Sequence, residues 1–259
     1  MSRVFVTGDK HGRYDDLIKK LKDFQTTKND VVIVLGDHGT LYYGPKDDRH
    51  KKKFVSSIPA TFIMIRGNHD RRASAAEYPH KAEYFNTPMY EGDFWYDPEF
   101  PSILYTKEYG WYRFGTKQVF VVNGAYSVDK QLRLQMRALG FSNYHWFEDE
   151  QLSEQERNSA ITCYINNAPD CMHYVMSHTC PIQYKPWDKL LSGVDQNSVD
   201  ESMENWLKVL ESSMPYQKWY CGHWHIERSI DRMRFMYEDV ELFNEVEETK
   251  DESGDQEET

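Results

Sequence analysis

Short, continuous apolar runs at intervals along the chain limit what it can fold into. The clearest are Val31-Val32-Ile33-Val34-Leu35 and Thr61-Phe62-Ile63-Met64-Ile65, with similar runs at 3–7, 118–122, 173–177 and 216–221. Continuous apolar strands, as opposed to alternating ones, are those a sheet buries on both faces. Between the first runs lie helix-period segments. Leu17, Ile18, Leu21 and Phe24 share one face of a helix over 14–24, with Asp15 and Asp16 in its first turn, where the helix dipole favours acids. A charged segment over 46–55 reads as a second helix. Strand, helix, strand, helix, strand is the order of an α/β chain with crossover helices.

Further along, residues 71–111 carry four prolines and many aromatics without a clear period, and read as irregular structure with short helices around the site. A hairpin is expected from 112–114 to 118–122 across Gly115-Thr116, then a helix over 128–139. A helix within 150–166 begins at the capping box Ser153-Glu154-Gln155-Glu156. Residues 173–177 read as a strand, 193–198 as a polar loop, 199–210 as a helix, 216–221 as a strand and 230–237 as the last strand. No repeat or linker divides the body, so 1–237 is expected to be one domain.

Charge separates that body from the end of the chain. The formal net charge is −11, but 238–259 holds eleven acidic residues and one lysine, which leaves the body nearly neutral. The acidic balance therefore says nothing about substrate charge, and 238–259 reads as a solvated, disordered tail, with docking to a protein partner as its other role. No run of 18 apolar residues suggests a membrane span, and the start does not read as a signal peptide. The cytoplasm is the expected compartment. Cys163, Cys171, Cys180 and Cys221 form no C-x-x-C pair and are expected as free thiols.

Five of the apolar runs stop at residues able to bind metal: Asp9 and His11; Asp37; Asn68 and His69; His178; His223 and His225. In extended chain, residues i and i+2 point the same way, so Asp9/His11 and His223/His225 each reach one centre together. Carboxylate, imidazole and amide oxygen suit borderline-hard metals such as Mn, Fe, Zn or Ni. The set exceeds the needs of one ion and suits two, about 3.5–4 Å apart, with Asp37 as the bridge. His69, left over from the ligands, is the imidazole placed to protonate a leaving group.

In order along the chain stand Gly8-Asp9-Lys10-His11-Gly12, Gly36-Asp37, Gly67-Asn68-His69-Asp70, Ser177-His178 and Gly222-His223-Trp224-His225. Together these motifs resemble the calcineurin-like metallophosphoesterases and span nearly the whole body. The resemblance implies a four-layer α-β-β-α sandwich of two mixed β-sheets flanked by helices. It implies one metal, most simply Mn, on Asp9, His11, Asp37 and His225, and a second on Asp37, Asn68, His178 and His223. His69 would contact the phosphate and protonate the leaving group, supported by Asp70. The Asp-Arg-Gly element that many members carry after the second motif is absent, and Asp70 stands where phosphoprotein phosphatases have glutamate. Both departures weigh against a protein phosphatase, and the chain looks more like the small single-domain bacterial or phage-encoded members, whose substrates are diverse. The missing Asp-Arg-Gly element leans the reading toward phosphodiester or nucleotide substrates. The alternatives are a phosphomonoesterase or serine-threonine protein phosphatase, and a non-catalytic binding module. Retention of every ligand weighs against the last.

Substrate contacts are less specified. His38 is either a phosphate contact or an ordinary loop residue. Arg66, Arg71 and Arg72 flank the third motif, and arginine matches phosphate bidentately. The charged run over 46–53 reads as a solvated helix face in preference to a nucleic-acid contact. Tyr42, Tyr43, Trp95, Tyr96 and Trp187 either stack on a base or fill space beneath loops, and the sequence does not separate the two. His50, His80, His145 and His173 match no motif.

Overall fold

The computed structural model describes residues 2–190 and 194–246. The first half runs β1 (Ser2–Thr7), α1 (Asp15–Asp23), β2 (Val31–Val34), α2 (Pro45–Val55) and β3 (Thr61–Met64). Then come β4 (Lys81–Asn86), β5 (Tyr90–Tyr96) and β6 (Ile103–Thr106). The second half runs β7 (Tyr109–Phe114), β8 (Lys117–Val122), α3 (Lys130–Ala138), α4 (Glu154–Asn166), β9 (Tyr174–Ser177), α5 (Ser202–Ser213) and β10 (Lys218–Cys221). It ends with β11 (Arg228–Ile230), β12 (Met233–Phe235) and β13 (Val240–Val246).

Hydrogen bonding joins the strands into one curled mixed sheet in the order β11-β12-β10-β9-β8-β7-β5-β6-β3-β2-β1-β13, with β4 on β5. The first half is parallel through β1, β2, β3 and β6, and the second is parallel through β8, β9, β10 and β12. The seam between the halves is short: Tyr90 opposite Phe114 and Glu91 opposite Arg113. Alternating side chains explain the layers. Val4, Val6, Ile33 and Ile63 share one core with Val119, Val121, Met176 and Tyr220 from the other half, so the sheet folds face to face upon itself. Phe5, Val32, Val34 and Phe62 turn outward to pack with Leu17, Leu21 and Val55 of α1 and α2. Phe120, Val175, Trp219 and Cys221 pack outward with Tyr164 of α4 and Leu207 and Leu210 of α5. Three cores between four layers are the expected sandwich, its two sheets continuous at the seam.

Several elements differ from the sequence reading. Residues 71–111 hold β4, β5, β6 and the start of β7. Aromatics lie on both faces of β4 and β5, and β4 is mostly exposed, so polarity alternates little and no period shows. The last expected strand is a hairpin of β11 and β12, turned at Asp231 with φ 51°. Helix α5 begins at Ser202, and single-turn helix Gln196–Ser198 precedes it; Gly193 of the expected polar loop lies outside the described residues. Within the stretch read as an acidic tail, β13 pairs antiparallel with β1. Its acids sit between apolar residues that face the core, Phe243 above all, and net charge hides that alternation. Residues 247–259 lie outside the described residues. Ser153 and Glu156 form the capping box as read. Among the described residues no helix is long and apolar enough to cross a membrane.

Candidate metal centre

Parallel strands place their carboxyl ends on one edge, where open α/β sheets bind ligands. Here the curl brings two such edges together. Asp9 and His11 follow β1, Asp37 follows β2, and Asn68 and His69 follow β3; His178 follows β9, and His223 and His225 follow β10. The loops are tied to one another by backbone bonds, the His11 N–H to the Asp37 carbonyl at 2.6 Å and the Gly222 N–H to the His178 carbonyl at 3.0 Å.

Two motif glycines are there for space. A Cβ on Gly36 would stand 2.0 Å from His178 Nδ1, and one on Gly67 would stand 2.0 Å from Asp37 Oδ1. The candidate ligands themselves are strained. His11, Asp37, His223 and His225 have φ of 47°, 46°, 67° and 50°, a left-handed region rare for residues with a Cβ. Each such residue costs on the order of 1 kcal/mol or more and persists at sites that over-determine it. The i, i+2 pairs thus converge through tight left-handed turns, not through extended chain.

The seven candidate ligands meet. His11 Nε2 lies 3.0 Å from His225 Nε2, 3.9 Å from Asp9 Oδ2 and 3.8 Å from Asp37 Oδ2. His225 Nε2 lies 3.2 Å from Asp9 Oδ2. On the other side, His178 Nε2 lies 3.0 Å from Asn68 Oδ1 and 3.5 Å from Asp37 Oδ1, with the His223 ring 5.0 Å from that of His178. Ligand atoms of Asp9, His11 and His225, and those of Asp9, Asp37 and His178, lie within 4.8 Å of one another in each group. Asp37 stands between the two sides.

The donor set fits cations. Asp9 Oδ2 is buried without a hydrogen-bond partner among the described residues. His178 Nδ1 donates to the Leu35 carbonyl at 2.7 Å, so in the neutral ring the Nε2 lone pair faces the oxygens of Asn68 and Asp37. Lone pair against lone pair is relieved by a cation between them. The field has the same sign. Burial alone would lower the His178 pKa, but the Asp37 and Asp9 carboxylates outweigh it and hold it at about 9. Burial and the neighbouring His178 drive His223 down to about 3, so it is neutral, as an imidazole ligand must be. Asn68 Nδ2 donates to Ser127 Oγ at 2.9 Å, and Glu150 fixes Ser127 in turn. That chain aims Asn68 Oδ1 at the centre, and Ser127 and Glu150 belong to none of the motifs.

Other expected site residues are placed differently. Asp70 takes backbone N–H bonds from His38, Gly39 and Gly67 at 3.1, 3.0 and 3.1 Å, clamping two loops together; its carboxylate does not meet the His69 ring. His69 Nδ1 lies 3.3 Å from Asp37 Oδ2, and its Nε2 lies 3.9 Å from Asp129 Oδ1. Burial works to lower the His69 pKa, but Asp37 and Asp129 raise it overall. His38 is buried beside Tyr105 and takes the Thr40 N–H on Nδ1. Arg66 is buried on Glu108 and the Glu150 carbonyl, Arg71 is paired with Glu77, and Arg72 with Glu156 and Asp149.

Two cavities open from the centre, sharing Asp37, His69 and His225. One, of about 510 Å³, is walled by Arg13, Tyr42, Tyr43, Lys51, Arg133 and Asn143. The other, of about 370 Å³, is walled by Val128, Asp129, Leu190, Trp224 and Ile226 among others. Neither includes His38, Arg66 or Arg71. The run over 46–53 is only partly a solvated face: Asp48 is buried and accepts the Tyr42, Tyr43 and Gly44 N–H groups, and Lys51 reaches the first cavity. Arg13, Asp129 and Arg133 carry no motif; the only sequence signal was their position just after Gly12 or at the start of the helix over 128–139.

A solved structure of a phosphopantetheinyl hydrolase from Mycobacterium tuberculosis is similar over 91% of this chain and 88% of its own, at 13% identity and a TM-score of 0.45. A protein of unknown function from Aquifex aeolicus is similar over 61% of this chain and 87% of its own, at 13% identity and a TM-score of 0.27. No curated protein matches the chain. The calcineurin-like phosphoesterase model matches residues 2–227, and the chain belongs to that family.

Proposed function

We propose that the chain hydrolyses phosphodiesters or nucleotides at a dinuclear metal centre. Membership of the family makes it a metal-dependent phosphoesterase acting on phosphate esters. The observation that carries the finer reading is the convergence of ligands from both halves on Asp37. Asp9, His11, Asp37 and His225 would hold one divalent ion, Mn by preference, and Asp37, Asn68, His178 and His223 the other. Such ions supply an activated water and neutralise phosphoryl charge.

The chain's own residues do the rest. Asp37 draws the two ligand sets together. His69 lies between Asp37 at 3.3 Å and Asp129 at 3.9 Å, whose charges favour its protonated form, and in this reading its proton goes to the leaving oxygen as the bond to phosphorus breaks. Two cavities give room for two substituents on one phosphorus, and Arg66 and Arg71, candidate phosphate contacts that could have met the extra charge of a monoester, are engaged elsewhere. Both favour the diester.

The test is Asp37→Ala in manganese-reconstituted protein. It should lose bound metal and hydrolysis of bis(p-nitrophenyl) phosphate together, and the parent should prefer that ester to p-nitrophenyl phosphate. Unchanged turnover in the variant would overturn the dinuclear reading, and a preference for the monoester would overturn the substrate class.

A further inference from the structure

The larger cavity carries positive charge that the metal ligands do not explain. Arg13 lines it, and among the described residues its guanidinium has no carboxylate partner. Lys51 reaches the same wall from α2. Its Nζ donates to the Gly12 carbonyl at 3.2 Å and lies 5.9 Å from the Tyr43 ring centre. Gly12 stands between His11 and Arg13, so both cations sit beside a ligand of the centre. Arg133 closes the opposite wall, its charge already matched by Asp129 at 2.7 Å. Apart from Asp37 no acid lines this cavity. In a body of almost zero net charge, two unmatched cations beside a phosphoryl site are a local excess that favours an anion.

The walls are built to stay. Tyr42 OH donates to the Asn143 carbonyl at 2.8 Å and accepts from Arg133 at 2.9 Å and from the His145 N–H at 3.2 Å. Asp48 holds the backbone of Tyr42, Tyr43 and Gly44. The second cavity, which shares His69, is lined by Val128, Leu190, Trp224 and Ile226. Among the described residues Lys189 is the one lysine or arginine in its wall, and Asp129 lines it too, so it offers no comparable pair of cations.

We propose that Arg13 and Lys51 bind a second phosphoryl group, and that the substrate is a disubstituted diphosphate. This rests on the phosphoesterase reading and narrows its substrate class. The water oxygen forms a bond to the phosphorus at the metals, and the bridging P–O–P bond breaks. The bridging oxygen leaves with the bonding pair on the second phosphoryl group, and the water's two protons pass to the products. Two phosphomonoesters result. Arg13 and Lys51 then face the charge that grows on the leaving phosphate, an interaction stronger in the transition state than in the ground state.

The test uses the full chain reconstituted with manganese and three substrates: bis(p-nitrophenyl) phosphate, diphenyl diphosphate and diadenosine diphosphate. The parent should hydrolyse at least one diphosphate with a kcat/KM above that for the single-phosphate ester. Arg13→Gln and Lys51→Met, each with the parent's manganese content, should lower the diphosphate-to-monophosphate ratio by about tenfold or more, the loss expected of a charge pair at a partly screened site. An equal loss with both diphosphates assigns the cations to the phosphoryl group. A loss confined to the adenosine compound would assign them to the nucleoside and overturn the proposal. So would an unchanged ratio while the single-phosphate ester is hydrolysed. Failure of all three substrates with metal bound would instead bring down the phosphoesterase reading beneath it.

Discussion

At the scale of residues, the pairing that matters most is one the sequence hides. His69 and Asp70 are neighbours in the chain, but their side chains part: one faces the centre, the other clamps two loops from behind. The carboxylate beside His69 Nε2 comes from Asp129, sixty positions away. Burial works to raise the Asp129 pKa, but the His69 and Arg133 side chains overcome it and hold the carboxyl well below its usual range, so it is charged. A charged carboxylate 3.9 Å from Nε2, itself anchored by Arg133, favours the ring's protonated form. Asp129→Asn keeps the shape and removes the charge. It should lower kcat by about tenfold, less than the roughly 10²–10⁴-fold of a whole general acid because His69 itself stays in place, while KM moves little. Asp129→Glu should recover part of the loss. A change confined to KM would show that Asp129 only lines the cavity. The candidate metal ligands were legible because they cluster just after apolar runs, and all but His178 and His225 stand within one residue of a motif glycine. Arg13, Lys51, Asp129 and Arg133 were not, because a surface charge in sequence carries no mark of the space it faces.

At the scale of elements, runs buried on both faces were legible and half-exposed ones were not. β1, β2, β3, β9 and β10 are mostly apolar and almost wholly buried, and read directly as strands. β4 and β13 lie at edges, where one face meets solvent and the apolar count falls. Helix α5 was read three residues early because Val199 continues its apolar pattern. That helix also buries an acid. Glu204 is nearly enclosed; Thr179, next to His178, donates to its Oε1 at 2.8 Å, and its Oε2 has no partner among the described residues. Burial pushes its pKa up to about 7 from an ordinary 4.5. The folded state therefore binds a proton that the unfolded chain has released, and stability from this group is lost as pH rises from about 4.5 to about 7. Glu204→Gln cannot ionise. Denaturant unfolding of parent and variant at pH 5 and pH 8 should show the variant gaining on the parent by roughly 1–3 kcal/mol between the two. Parallel behaviour at both pH values would mean that Glu204 stays charged when folded.

At the scale of the whole molecule, the proposed two-ion centre would also be a fastener. The two halves of the sheet meet at a ladder of two residue pairs. They are held as well by the common core and by β13, whose backbone pairs with β1 while Phe243 packs 5.1 Å from Tyr174 and 5.7 Å from Tyr220. Element order suggested an α/β chain and the motifs' resemblance to the family implied the sandwich; the seam was invisible because it depends on β5 and β7, largely within the stretch without a period. Asp9, His11, Asp37 and Asn68 come from one half, and His178, His223 and His225 from the other. Ions held by both sets would bind the folded chain and not the unfolded one, and so would stabilise it by mass action, by about 2.7 kcal/mol at a hundredfold excess over Kd. For a chain of this length that corresponds to roughly 5–10 °C in Tm. Chelation should lower the parent's Tm by that amount, and added manganese should restore it. Asp37→Ala removes the residue common to both ligand sets and should melt at one temperature with or without metal. If the parent's Tm ignored manganese while its activity required it, the ions would act on the substrate without joining the halves, and the strain stored in the left-handed ligand turns would have to be balanced by the protein's packing alone.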